Sequence, residues 1–158
     1  MIIEIAKPEE AKEISLMIEK STRASFPKFY PDCSIEYVVS SLNEKGVLDR
    51  MKWTNFYVAK IENKIVGCGA IGEYWGSKTE SSLFNIFVDP DFQGQGIGRK
   101  IVETLEQDNL FLRAKRIEVP ASMVGIPFYK KLGYRHKNNE LIYEDGHFAM
   151  EKFNDNKN

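Results

Sequence analysis

The sequence predicts a single α/β domain built on a mixed, mostly antiparallel sheet, and three observations carry that prediction. Amphipathic helical stripes occupy the N-terminal third, apolar strand-like runs bounded by turns fill the middle, and a glycine-punctuated loop then opens a further helix before shorter elements close the chain. At 158 residues the chain is long enough to bury about two thirds of its unfolded surface in one core. Residues 1–153 are read as that domain and residues 154–158 as a frayed polar tail.

Residues 2–5 read as an opening strand. Pro8, Glu9 and Glu10 begin a helix whose Ala11, Ile14, Met17 and Ile18 share one face and which ends near Ser21. From Thr22 to Asp32 the prolines and rings of Phe26, Pro27, Phe29, Tyr30 and Pro31 argue against a simple helix. Ser34 then caps a second helix with the stripe Ile35, Val38, Val39, Leu42, closed by Gly46. Strands follow at 56–61, 65–74 and 83–88, with a turn at Glu62-Asn63-Lys64, and three consecutive antiparallel strands are expected. Ile97, Ile101, Leu105 and Leu112 recur at helical spacing after the glycine loop, with Lys100, Glu103, Glu106 and Gln107 opposite. Arg116 to Val119 is a short strand and Pro127 to Leu132 a short helix stopped by Gly133. Leu141-Ile142-Tyr143 and His147 to Met150 form a hairpin turned at Asp145-Gly146. The predicted order is β-α-α-β-β-β-α-β-α-β-β.

Composition narrows the function classes. A formal net charge of -1 gives no general attraction to nucleic acid or an anionic membrane, so any phosphate recognition is local. Cys33 and Cys68 lie far apart without metal-ligand spacing; both are expected to be buried thiols in a reducing compartment. No metal site is expected. Met1-Ile2-Ile3-Glu4-Ile5 is too soon interrupted by charge for a secretion signal or membrane span, and a cytoplasmic location is expected.

The densest motif is Phe87-Val88-Asp89-Pro90-Asp91-Phe92-Gln93-Gly94-Gln95-Gly96-Ile97-Gly98-Arg99-Lys100. Glycines admit a ligand close to the backbone, and the first amides of the following helix have no partner inside it, so the segment reads as an anion-binding loop. It is not a nucleoside-triphosphate loop: Gly98 is followed by Arg99-Lys100-Ile101, which leaves no hydroxyl for magnesium. Nor is it a dinucleotide fingerprint, because arginine stands at position 99, where a third small residue belongs. The alternative is a glycine-rich turn before an ordinary helix.

Gln-x-x-Gly-x-Gly over Gln93 to Gly98, directly after Val88-Asp89-Pro90, resembles the acyl-CoA loop of the GCN5-related N-acetyltransferase (GNAT) family. Ile126-Pro127-Phe128-Tyr129-Lys130-Lys131-Leu132-Gly133-Tyr134 resembles that family's Phe-Tyr-x-Lys-x-Gly-Phe segment. The resemblance covers nearly the whole chain and implies the acyl-CoA N-acyltransferase fold, with acetyl-CoA as cosubstrate. It implies that strands 83–88 and 116–119 splay around the pantetheine arm and that the main chain of Ile86, Phe87 and Val88 faces its amides. Gln93, Gly94, Gln95, Gly96, Ile97, Gly98 and Arg99 then hold the pyrophosphate. Among Arg99, Lys100, Arg113, Lys115 and Arg116, candidates to pair with the 3′-phosphate, Arg99 is selected. Ser122 stands where the family often has a cofactor-binding asparagine.

The implied reaction is direct attack of a primary amine on the thioester, with Tyr129 as general acid to the departing thiolate. Full transfer from a phenol of pKa about 10 to a thiolate of pKa about 8.5 is uphill by roughly 2 kcal/mol, so the role is late, partial donation. Phe84 occupies the position where relatives place a glutamate base. Glu73 and Glu80 are the candidates to work through water, with Asp32 and His147 behind them. Cys68, in Gly67-Cys68-Gly69 with no histidine near in sequence, reads as structural rather than nucleophilic. The Phe26 to Tyr30 segment and Tyr74-Trp75 are candidates for an aromatic wall over the acetyl group, or for plain packing. The acceptor is a small-molecule or peptide amine, and a homodimer is left open. Two rival functions remain: a non-catalytic acyl-CoA-binding regulatory module, and an acyltransferase for another acyl group or an oxygen nucleophile.

Overall fold

The computed structural model of the chain describes residues 1–144 and 146–154. These residues divide into two compact units. One comprises Met1–Ala70 with Asn85–Thr104, and the other Ile71–Phe84 with the described residues from Leu105 onward.

In the first unit, β1 (Ile2–Ile5) runs antiparallel to β2 (Thr54–Ile61), pairing Ile2 with Lys60 and Ile5 with Tyr57. A two-residue turn with Glu62 and Asn63 both at positive φ (50° and 65°) leads into β3 (Lys64–Glu73), the geometry that matches strand twist in a tight hairpin. β4 (Glu80–Val88) follows in the sheet. A single-turn 3₁₀ segment at Pro8–Glu10 starts α1 (Ala11–Ser25), which buries Ala11, Ile14, Met17 and Ile18 as the stripe requires. The helix continues past Ser21 to Ser25 because Ser21 and Thr22 are also buried, with Thr22 Oγ1 donating back to the Ile18 carbonyl at 2.7 Å. A 3₁₀ turn at Phe26–Lys28 ends it.

The expected second helix is two helices. α2 (Asp32–Ser41) starts after Pro31, so Ser34 lies inside it rather than capping it. Asn43 caps α3 (Glu44–Met51), its side chain accepting from the Gly46 amide at 2.9 Å. Gly46 therefore sits within α3 instead of closing α2, and a Cβ there would stand 1.9 Å from the Ser41 carbonyl oxygen. Cys33, expected inside, is exposed on α2, while Cys68 is buried. After the glycine loop, α4 (Ile97–Leu105) packs on β3 at Gly67, where a Cβ would meet Ile101 at 2.8 Å. A side chain here would press on the Ile101 and Ile97 side chains and on the Phe87 carbonyl at 3.2 Å.

In the second unit, the start of β4 lies parallel to β5 (Arg116–Ala121), pairing Glu80 with Arg116, Ser81 with Ile117 and Ser82 with Glu118. β8 (His147–Phe153) runs antiparallel to β5 along its length. It also pairs antiparallel with β6 (Arg135–His136) and β7 (Tyr143–Glu144). The sheet is thus mixed and mostly antiparallel, as read from sequence. Leu112 does not extend the stripe of α4: Asp108 caps a separate turn, α5 (Asn109–Leu112), and Leu112 is exposed. α6 (Ile126–Lys131) ends at Gly133, which takes φ 93°. Leu141 and Ile142 lie outside the strands, the two-residue β6 had no sequence signal, and Asp145 of the expected turn lies outside the described residues. Asn154 is no part of a frayed tail, because its amide donates to the Lys115 carbonyl at 2.9 Å; residues 155–158 lie outside the described residues.

Candidate active site

The loop expected to bind anions is built on the first unit. Asp89 closes β4 through its amide, which donates to Val66 O at 2.8 Å, and its side chain caps the 3₁₀ turn Pro90–Phe92 by accepting from the Asp91 amide at 2.9 Å. Lys20 of α1 reaches over to Asp89 at 2.9 Å and Asp91 at 2.6 Å. Burial raises the pKa of the Asp89 carboxyl, but Lys20 and the Asp91 amide outweigh it and hold the group below its ordinary range. Beyond this anchored turn Gly94 and Gly96 adopt φ 80° and 78°, and a Cβ built on either meets nothing within 4 Å. These glycines serve backbone conformation and leave the space above them open. Gln93, Gln95 and Arg99 are exposed along the same stretch. The helical ladder of α4 begins with Lys100 donating to Gly96 O at 3.1 Å. The amides of Ile97, Gly98 and Arg99 therefore precede it, a donor set that fits a pyrophosphate.

Ile86, Phe87 and Val88 are half-buried on β4, one to three residues after Asn85. Asn85 is left-handed at φ 55° inside the strand. Its carbonyl accepts from the Cys68 thiol at 3.2 Å, while its side-chain Oδ1 is buried without a partner among the described residues. Burial pushes the Cys68 thiol up to about 12, so it stays protonated and is no nucleophile at neutral pH. Phe26 is buried and stacks on Tyr30 at 5.0 Å, whereas Phe29 is exposed. Asp32 is exposed in the first turn of α2.

On the second unit, Ser122 Oγ accepts from the Gly125 amide at 3.3 Å and sets the turn into α6. Pro127 in the first turn of α6 carries Tyr129 inward, where its ring meets Phe128 at 5.1 Å and Tyr134 at 5.9 Å. Tyr129 is 7% exposed, and burial pushes its phenol up, so it stays protonated throughout the neutral range. Tyr134 is differently employed: its hydroxyl donates to Glu106 at 2.9 Å.

Glu73 ends β3 with its carboxylate 3.1 Å from both Lys78 and Arg113, and these cations hold it below the ordinary carboxylate range. Glu80 lies 3.6 Å from Arg116. Glu80 is four residues up the strand from Phe84, about 13 Å at ~3.3 Å per residue, so its reach to that position spans more than one water. Arg113 and Arg116 are not available to a phosphate. Arg113 holds Glu73 and the Ser77 carbonyl, and Arg116 is almost wholly buried against Glu151 at 2.7 Å, Glu118 and Glu80. Tyr74 packs under both Arg116 and Lys137, Trp75 is 88% exposed, and His147 is exposed at the start of β8. Sequence reasoning missed Asn85, whose one signal was an asparagine inside the apolar run Leu83 to Val88, and Lys20, for which there was no local signal. Among the described residues no group of His, Cys, Asp and Glu is placed to hold a metal ion, and no helix is long and apolar enough to cross a membrane.

Residues 52–136 match the model of the acetyltransferase (GNAT) domain, and the chain belongs to that family. It is 32% identical over 92 residues to an uncharacterized N-acetyltransferase of Methanocaldococcus jannaschii, covering 52% of this chain and 39% of that one. It is 43% identical over 58 residues to a ribosomal-protein alanine N-acetyltransferase of Escherichia coli, covering 35% and 39%. The chain thus spans about two fifths of the length of these curated relatives. Among solved structures, the PaiA N-acetyltransferase of Thermoplasma acidophilum in complex with coenzyme A superposes with a TM-score of 0.81 at 18% identity, covering 98% of this chain and all of that one. An aminoglycoside 6′-N-acetyltransferase complexed with coenzyme A superposes at 0.65 and 19% identity, with 97% of each chain covered. These likenesses establish the GNAT acyl-CoA N-acyltransferase fold.

Proposed function

We propose that this chain is an acetyl-CoA-dependent N-acetyltransferase that transfers the acetyl group to a primary amine by direct attack. The observation that carries the reading is the Gln93–Arg99 loop: two left-handed glycines under open space, followed by three amides ahead of the helical ladder. Those amides and the N-terminus of α4 hold the pyrophosphate, with Arg99 beside the 3′-phosphate. The main chain of Ile86, Phe87 and Val88 binds the pantetheine amides, and the Ser122 hydroxyl donates one further hydrogen bond.

Tyr129 is the general acid. As the N–C bond forms and the C–S bond breaks, its phenol donates a hydrogen bond to the developing thiolate; burial raises its pKa and makes full transfer still more uphill, so the role stays one of late, partial donation. The proton of the attacking amine leaves through water. Of the two carboxylates, Glu80 receives it at the end of a water chain: Glu73 is held at 3.1 Å by both Lys78 and Arg113, whereas Glu80 stands 3.6 Å from Arg116, which also serves Glu118 and Glu151. We read residues 1–153 as one acetyltransferase domain working in the cytoplasm; the family match over residues 52–136 supports the domain reading.

The test is release of free thiol from acetyl-CoA with a panel comprising an alanyl tetrapeptide, a lysyl peptide, spermidine and an aminoglycoside. Amine-dependent thiol release with acetylated product is expected. Tight acetyl-CoA binding with no turnover on any amine points instead to a regulatory module, and turnover only with alcohols or longer acyl-CoA points to the other acyltransferase reading.

A further inference from the structure

We infer that the Asn85 carboxamide is a positioning residue that selects primary amines over secondary amines and alcohols, an inference that rests on the acetyltransferase reading above. Three observations converge on Asn85. It is left-handed inside a strand, a conformation that asparagine tolerates and β-branched residues do not. Its backbone is pinned by the Cys68 thiol. Its Oδ1 is buried with no hydrogen-bond partner among the described residues. A buried acceptor left without a donor is costly, and the cost is removed when a ligand brings an N–H to it.

The position along the strand identifies the ligand. With pyrophosphate at Gln93–Arg99 and pantetheine beside Val88 to Ile86, the next group along β4 is the acetyl thioester, which carries no N–H or O–H. The donor at that end is the attacking nucleophile. A neutral primary amine has two N–H groups: one proton leaves to water as the N–C bond forms, and the other hydrogen remains to donate to Asn85 Oδ1. A secondary amine and an alcohol have a single hydrogen, which the reaction must remove. An amide oxygen is too weakly basic to take the proton itself, so Asn85 orients the nucleophile and leaves proton transfer to solvent.

The experiment compares kcat/KM for the best amine of the panel and for its N-methyl counterpart, in the parent protein and in Asn85→Gly and Asn85→Asp. Glycine keeps the left-handed backbone and removes the acceptor; aspartate keeps an acceptor oxygen. In Asn85→Gly the preference for the primary amine is expected to fall by roughly 2- to 13-fold, the worth of one hydrogen bond, mainly through KM for the amine. Acetyl-CoA affinity and Tm stay at parent values, and Asn85→Asp retains the preference. An unchanged preference, or a loss of acetyl-CoA affinity at constant amine KM, overturns the inference, the latter because the carboxamide then faces pantetheine. If no amine reacts with the parent protein while acetyl-CoA binds, the acetyltransferase reading itself has failed and this inference falls with it.

Discussion

The ammonium of Lys20 stands 2.9 Å from the buried carboxylate of Asp89. This contact ties α1 to the turn that launches the glycine loop, and among the described residues Lys64, 4.0 Å away, is a second cation near Asp89. Removing Lys20 leaves a desolvated carboxylate poorly compensated. Lys20→Met is expected to lower Tm and to shrink the Tm gain produced by acetyl-CoA; a variant with both quantities at parent values frees the loop from α1. The pH dependence has a definite sign. The folded pKa of Asp89 is below its unfolded value near 3.8, so the stabilisation is complete above that value and is lost as pH falls through the folded one.

Gly96 has open space above it and a left-handed backbone beneath it. Gly96→Glu places a carboxylate beside the amides of Ile97, Gly98 and Arg99 and is expected to abolish the acetyl-CoA shift in Tm. Gly96→Asn, which tolerates the backbone, is expected to keep a folded protein with a measurable shift. Equal shifts in the parent and in Gly96→Glu remove the loop from the cofactor site.

Tyr129→Phe preserves the ring against Phe128 and Tyr134 and removes only the hydroxyl. General acid assistance is typically worth about 10²- to 10⁴-fold, so kcat is expected to fall by that order at nearly constant acetyl-CoA affinity. Because burial raises the phenol pKa, the parent kcat is expected to stay level on the basic side to about pH 10. Full turnover in the phenylalanine variant assigns the proton to solvent.

The two carboxylates make opposite predictions. Glu80→Gln is expected to change the acid limb of kcat/KM against pH, because it removes the carboxylate at the end of the water chain. Glu73→Gln is expected to leave that limb in place and to loosen the Ser77 turn through Arg113. If neither variant moves the limb, water alone carries the proton away.

Gly46→Ala tests the split of the second helix. The new Cβ collides with the Ser41 carbonyl, so the junction between α2 and α3 has to open, at a cost of about 1–3 kcal/mol read from denaturant unfolding. Parent stability in this variant means that the junction relaxes freely.

Much of the architecture was written in local pattern. The stripe Ala11, Ile14, Met17, Ile18, the apolar runs of β2 to β4, the glycine loop and the Phe128-Tyr129 segment are periodic or short-range features, and backbone geometry turns them directly into helices, strands and turns. They determined the fold class, the place of the glycine loop proposed to hold the cofactor, and the candidate acid. What only the tertiary structure decided is pairing between distant residues. Lys20 meets Asp91 across 71 positions of sequence, and Arg116, a phosphate candidate by composition, is consumed by Glu151 35 positions away. The break at Asn43 was invisible because the stripe of α2 continues through Leu42, while the cap that starts α3 depends on Gly46 fitting against Ser41. Asn85 belongs with these: its identity was plain in the chain, but its left-handed backbone and its buried, unpartnered oxygen exist only once Cys68 and β4 are packed together. Local propensity acts over a few residues, whereas burial and ion pairing are set by what the completed fold brings within a few ångströms.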